Sequence, residues 1–288
     1  MTPSAPEGIP GDIEYLRLPR PAELFERRAS RFRELAPGHP MADFLEAAAH
    51  LADAQRSALA RVNPPPPPAD LSEVPLRARS FRRGPEWRSG LTLLVEEARR
   101  APWPEPAQAA LSHLASAGAD RIEALGDAVL AGTPAPADLA AASFTAAGLQ
   151  VYFTALAARL PAEKVARSPA GCPVCGSPPV AGVVLGDDKL RYLACSLCGS
   201  EWNLTRIQCW TCRATGGISY LALEGDDGGL RAEACQGCGG YLKLFYRERR
   251  PAAEPLADDV ASLELDLLAA EEGWARSGVN FFLIGGEG

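Results

Sequence analysis

All eight cysteines of the 288-residue chain lie between positions 172 and 238. They form four knuckles of one kind: Cys172-x-x-Cys175, Cys195-x-x-Cys198, Cys209-x-x-Cys212 and Cys235-x-x-Cys238. A two-residue gap lets both sulfurs of a knuckle turn toward one ion, and two knuckles close a tetrahedral shell of four thiolates. Spacing divides them into consecutive halves, C-x2-C-x19-C-x2-C and C-x2-C-x22-C-x2-C, each with room for a hairpin between its knuckles. Consecutive pairing is the reading from spacing. An interleaved pairing, with the outer knuckles together, is the alternative.

The halves also resemble each other outside the cysteines. Residues 191–199, RYLACSLCG, align with residues 231–239, RAEACQGCG, as an internal repeat. Gly176, Gly199 and Gly239 each follow the second cysteine of a knuckle, where a residue tolerating positive φ lets backbone N–H groups point at sulfur. Arg213 holds that place in the third knuckle and breaks the rule.

Several chemistries compete for such a set. A structural ion supplies stability that a module with few large apolar side chains lacks, about 10–16 kcal/mol of apparent binding free energy for zinc at neutral pH. Four sulfurs suit zinc or iron, and spacing alone favours zinc. The form Cys172-Pro173-Val174-Cys175-Gly176 is shared by rubredoxin and zinc-ribbon knuckles, so it does not choose the metal. Redox chemistry at a bound iron is the sharper reading. Thiol–disulfide exchange requires a C-x-x-C opening a helix after a strand, and no such frame surrounds these knuckles. Nucleic-acid binding by a zinc ribbon requires a basic stripe. Residues 168–250 carry 9 Lys and Arg against 8 Asp and Glu before any thiolate is counted. His39, His50 and His113 lie far from the cysteines in sequence, with His39 in a Pro-Gly-His-Pro turn. No nucleophile elbow, Walker loop or dinucleotide fingerprint is present. The chain reads as a non-enzyme.

Composition sets the frame. The chain is 47% hydrophobic with net charge −7, which disfavours a general nucleic-acid binder. The first 18 residues have no apolar core of signal-peptide length, and no apolar run approaches the roughly 18 residues of a membrane span. A cytoplasmic protein without membrane attachment is expected, in a compartment where paired cysteines hold metal more often than disulfides.

The elements that must position the knuckles follow from periodicity. Residues 1 to about 20, rich in Pro and Gly, read as extended. Helices are expected over 21–35, over 41–62, and at about 89–100, 105–117, 119–131 and 136–160. In the last, Leu139, Ala142, Ala146, Leu149, Phe153, Leu156 and Leu160 recur in steps of three and four, the seam of a central bundle helix. Residues 64–88 read as a long loop stiffened by Pro64 to Pro68 and made basic by Arg77, Arg79, Arg82, Arg83 and Arg88. It is either a solvated crossover or a contact surface for an acidic partner. After a linker at 161–171, strands are expected at 180–185, 190–194, 218–223, 230–234 and 241–246. A helix capped by Asp258-Asp259 then runs to about Trp274, and Phe281 to Ile284 dock back on the body. The fold class is α+β and multi-domain. An all-α N-terminal domain (1–165) precedes two tandem four-cysteine modules (166–206 and 207–250) and a C-terminal helix and tail (251–288).

The run from Arg191 to Trp202, RYLACSLCGSEW, continuing through Arg206-Ile207-Gln208 to the third knuckle, resembles the signature of the FdhE family of formate dehydrogenase accessory proteins. So do residues 172–179 (CPVCGSPP), Gly240-Tyr241-Leu242-Lys243, residues 275–280 (ARSGVN) and Ala36 to Pro40 before a long helix. The resemblance implies a helical domain followed by two rubredoxin-like modules. It also implies iron as the favoured metal, with zinc the alternative. The implied partner is the catalytic subunit of a respiratory formate dehydrogenase, met in the cytoplasm before export, with no nucleic acid and no membrane as partner. Carried over by position, Cys172, Cys175, Cys195 and Cys198 would hold one ion. Cys209, Cys212, Cys235 and Cys238 would hold the other. A homodimer is compatible with the sequence. The rival class is a zinc-ribbon nucleic-acid or protein-interaction module with purely structural zinc.

Overall fold

The helix Leu139–Ala157 (α6 below) is the axis of the N-terminal half, and the reason is its composition. In a computed structural model describing residues 13–71, 73–167, 171–186 and 189–284, all of its residues except Leu139, Ala140 and Ser143 are buried. A helix apolar all round must be covered all round. Around it pack α2 (Ala42–Leu59), α3 (Pro85–Ala98), α4 (Glu105–Ser116) and α5 (Ala119–Ala131), while α1 (Pro21–Leu35) lies against α2. The expected seam is therefore one line on a helix buried on every side. Gly148 lets α3 approach closely, since a Cβ there would stand 2.8 Å from Leu91 Cδ1. Residues Pro136–Ala157 are long and apolar enough to cross a membrane by length and composition, which the sequence reading did not expect, but 83% of that stretch is buried inside the protein.

The cysteine half and a short N-terminal strand form one eight-stranded sheet. Its strands are β1 (Leu16–Arg17), β2 (Pro179–Leu185), β3 (Leu190–Cys195), β4 (Glu201–Asn203), β5 (Ile218–Leu221), β6 (Leu230–Cys235), β7 (Gly240–Tyr246) and β8 (Ala275–Arg276). The order is β1-β4-β3-β2-β7-β6-β5, with β8 beside β7. The repeat is visible in this order: β2-β3-β4 and β5-β6-β7 are two antiparallel meanders. They are joined edge to edge by parallel pairing of β2 with β7, Gly182 opposite Leu244 and Val184 opposite Tyr246. Gly182 sits at this junction because a Cβ there would stand 2.5 Å from Leu244 Cδ2.

Four expectations need correcting. The third helix starts at Pro85, not 89, because Pro is tolerated in a first turn. The tail holds two helices, α7 (Pro255–Val260) and α8 (Leu263–Glu271), rather than one. Asp258 and Asp259 do not cap; Glu254 does, its carboxylate accepting from the N–H groups of Leu256 and Ala257. The segment at 218 pairs only to Leu221. Strands β1, β4 and β8, two or three residues each, are too short to show a period of two. Phe281 and Phe282 do dock, Phe282 stacking 5.2 Å from Phe32 of α1. The sequence N-terminal to residue 13 and linker residues 168–170 lie outside the described residues.

Candidate metal centres

The second and fourth knuckles are tight turns leaving β3 and β6, the first and third precede β2 and β5, and all four turns fold alike. Gly176, Gly199 and Gly239 take φ of +74°, +71° and +69°. Arg213 takes φ +66° in the same place, so the break in sequence is no break in backbone. The N–H of that residue returns to the carbonyl of the knuckle's first cysteine in all four, at 2.8 to 3.1 Å.

These turns bring the sulfurs together in consecutive pairs of knuckles. Cys172, Cys175, Cys195 and Cys198 form one group and Cys209, Cys212, Cys235 and Cys238 the other, with all ligand atoms of a group within 4.8 Å of one another. Sulfur–sulfur distances are 3.6 Å (Cys172–Cys198), 3.4 Å (Cys175–Cys195), 3.7 Å (Cys209–Cys238) and 3.5 Å (Cys212–Cys235). A disulfide would need about 2.05 Å. A tetrahedron with metal–sulfur bonds of about 2.3 Å has edges of about 3.8 Å, so the donor set fits a four-thiolate cage. Two groups that could hold two metal ions are thus present.

Their surroundings differ. The four sulfur residues of the first group are at most 1% exposed, and burial pushes the thiols of Cys172 and Cys195 well up. Burial acts the same way on Cys175, but hydrogen bonds from Cys172, Cys195 and Cys198 outweigh it and pull that thiol well down. In the second group Cys212 and Cys238 are exposed. The backbone N–H of Ala214, then Cys235, draws Cys212 down to about 7. Burial and the neighbouring Cys209 push Cys238 up to about 12.

Helical elements cover the first group. The basic loop lays Leu76 and Ala78 along the first knuckle, their N–H groups donating to Val174 O and Cys175 O at 2.9 Å each. Gln150 of α6 donates to Ser196 O at 2.5 Å, and Leu24 of α1 packs over Gly199. Of the arginines at 77–88, Arg77, Arg79 and Arg82 are exposed, while the other two turn inward. Arg83 pairs with Glu123 and Asp127 of α5, and Arg88 with Glu123. Between the groups, Arg191 of β3 crosses the sheet to an ion pair with Glu233 of β6 and donates to the carbonyls of Thr205 and Gln208 at 3.1 and 2.6 Å.

Among the described residues no histidine joins either group. His39 is the turn residue expected: its Nδ1 accepts from Met41 N–H, which leaves Nε2 to donate to Ala261 O at 3.1 Å. His50 lies edge-on to Trp103.

Comparison with known proteins agrees with this architecture. Three family models match in series: FdhE, N-terminal, over 13–170; FdhE, central domain, over 171–206; and FdhE, C-terminal domain, over 207–283. A protein FdhE homolog of Edwardsiella ictaluri is 40% identical, over 97% of this chain and 94% of its own. The chain belongs to the FdhE family. Protein FdhE of Escherichia coli O127:H6 is 36% identical over 96% of this chain and 93% of its own. The crystal structure of the FdhE protein from Pseudomonas aeruginosa superposes with a TM-score of 0.84 at 36% identity, covering 96% of this chain and all of that one.

The FdhE-like runs outside the cysteines meet at one place, which sequence reasoning missed. Lys243, Arg276 and Asn280 converge on Asp259, which is fully buried. Lys243, Arg276 and Tyr241 also reach Asp266. Burial alone would raise Asp259, but Lys243 and Arg276 hold it below the usual carboxylate range. Burial and the hydrogen bond to Asp266 push the Tyr241 hydroxyl far up. A second set ties α1 to the tail: Arg28 to Glu254 at 3.1 Å and Arg31 to Asp258 at 2.7 Å. The sequence signal was there in Asp258-Asp259, which read as a helix cap, while Glu254 drew no reading at all.

Proposed function

We propose that the chain is an accessory factor for maturation of a respiratory formate dehydrogenase. It binds the catalytic subunit of that enzyme in the cytoplasm and carries out no turnover reaction of its own. Membership of the FdhE family over nearly the whole length carries this reading. Cys172, Cys175, Cys195 and Cys198 ligate one ion, and Cys209, Cys212, Cys235 and Cys238 the other. Iron is the favoured metal and zinc the substitute. The chain's own residues do the positioning. Arg191 and Glu233 fix one meander against the other, and the Lys243–Asp259–Arg276 network fixes the tail beneath β7, so the client meets a rigid platform. Two oxidation states of a bound iron would differ by one unit of site charge and so supply a redox-dependent affinity, which zinc would not.

The test is an affinity pulldown from the native host under anaerobic conditions, with metal content measured on the same sample. A formate dehydrogenase large subunit should co-purify, with two ions per chain. Deleting the gene should abolish or sharply reduce formate oxidation; full formate oxidation in the deletion strain would overturn the reading. A colourless protein with two zinc ions would remove its redox part while leaving recognition.

A further inference from the structure

The two candidate centres are built from the same turns, yet they are covered differently. Around the first, every sulfur residue is at most 1% exposed. Three separate parts of the helical half close over its knuckles. The loop donates from Leu76 and Ala78 to the first knuckle, Val74 packs at 3.6 Å from where a Cβ of Gly176 would stand, and Leu24 and Gln150 close over the second knuckle. Around the second, Cys212 and Cys238 are exposed, and open space surrounds Gly239. The tail lies beside it, with Ser277 accepting from Trp210 Nε1 at 2.8 Å and the N–H of Ala275 donating to Gly239 O at 2.9 Å. A bound ion is reached from solution at the rate at which its cover opens, and cover held by several elements opens only with sub-global unfolding.

We infer that the second centre is an exchange site, whose ion enters and leaves by ligand substitution with a thiol-bearing acceptor at the Cys212–Cys238 rim, while the first centre keeps its ion for as long as the fold persists. The inference rests on the reading that both groups hold metal. The step involves no electron transfer. With an ion held there, an incoming thiol would replace Cys212 Sγ as ligand, and the thiol proton would pass through water to the released Cys212 thiolate. Cys238 follows in the same way. Cys209 and Cys235, which are buried at 6% and 2% exposure, are the last ligands to let go.

The experiment uses the full chain purified with its metal, counted by mass spectrometry, and mixed with excess 4-(2-pyridylazo)resorcinol, with and without glutathione as the thiol. Release should be biphasic. One equivalent should leave at least 100-fold faster than the other, and glutathione should accelerate only the fast phase. Cys212→Ser should remove the fast phase and leave the slow one, with near-ultraviolet circular dichroism reporting an intact fold. Ala78→Pro, which deletes the N–H over Cys175, should speed the slow phase tenfold or more and leave the fast phase alone. Two equivalents leaving at one rate overturn the inference, as does loss of the slow phase in Cys212→Ser. A folded wild-type protein with no metal and eight titratable thiols overturns instead the reading on which the inference rests.

Discussion

At the scale of single residues, Asp259 is a carboxylate kept charged at full burial. Its carboxylate has no exposure and survives in the charged form because Lys243, Arg276 and Asn280 surround it. Breaking such a group from one side leaves two cations, Lys243 and Arg276, sharing the single carboxylate of Asp266, a buried charge imbalance that costs about 3–5 kcal/mol. Asp259→Asn should therefore destabilise the protein by that amount at neutral pH, read as a fall in denaturant midpoint. The pH dependence has a definite sign. Asp259 has a native pKa below its unfolded value near 3.8. Its contribution is fully present above that value and is lost as pH falls through the lower native value. The gap between wild type and variant should stay constant from about pH 7 to about pH 5 and narrow below about pH 4. A gap independent of pH down to 2 would mean that the carboxylate charge is not what the network uses.

At the scale of elements, α6 governs the helical half because its contacts leave no slack. A side chain at Gly148 has no place to go: the ideal Cβ already stands 2.8 Å from Leu91 Cδ1 and 3.4 Å from Leu91 Cα. Gly148→Val should push α3 away from α6 and cost about 1–3 kcal/mol or more, measured by thermal unfolding. A Leu91→Ala partner substitution should restore part of the loss, and a double variant no better than the single would argue against this contact. Elements like α6 and the four knuckles were legible in the sequence because their information is local: a repeat of three and four, or two cysteines three apart. The cover over the first centre was not legible. It is made by backbone N–H groups of Leu76 and Ala78, which leave no mark on side-chain pattern. Nor was the anchoring of α1 legible, since Arg28 and Glu254 are 226 residues apart and nothing in the pattern around either names its partner. The split of the tail into α7 and α8 was hidden for a similar reason. Ser262, whose Oγ donates to Asp258 O at 2.7 Å, sits where an uninterrupted helix was expected.

At the scale of the whole molecule, the two meanders and the helical half depend on one another, and a truncation exposes this. Cutting after residue 206, where the central family model ends, keeps all four cysteines of the first group. It also removes β7, which pairs with β2 from Gly182 to Val184, and so opens an edge beside the buried Val180, Val183 and Val184. Open apolar edges recruit other strands. The same cut removes Glu254, Asp258 and Phe282, leaving Arg28, at 1% exposure in the whole chain, with no carboxylate and α1 with no aromatic partner for Phe32. A loaded first centre repairs none of these losses, because its ligands lie in the turn before β2 and at and after the end of β3 rather than along the β2 edge that β7 pairs with. Residues 1–206 should therefore aggregate or show native-like far-ultraviolet dichroism without a cooperative thermal transition, while the full chain remains monodisperse under the same conditions. A monomeric 1–206 fragment with a sharp transition by calorimetry would show that the parallel β2–β7 seam joins two independent folds, and the rigid platform proposed for client binding would then have to be a hinged one.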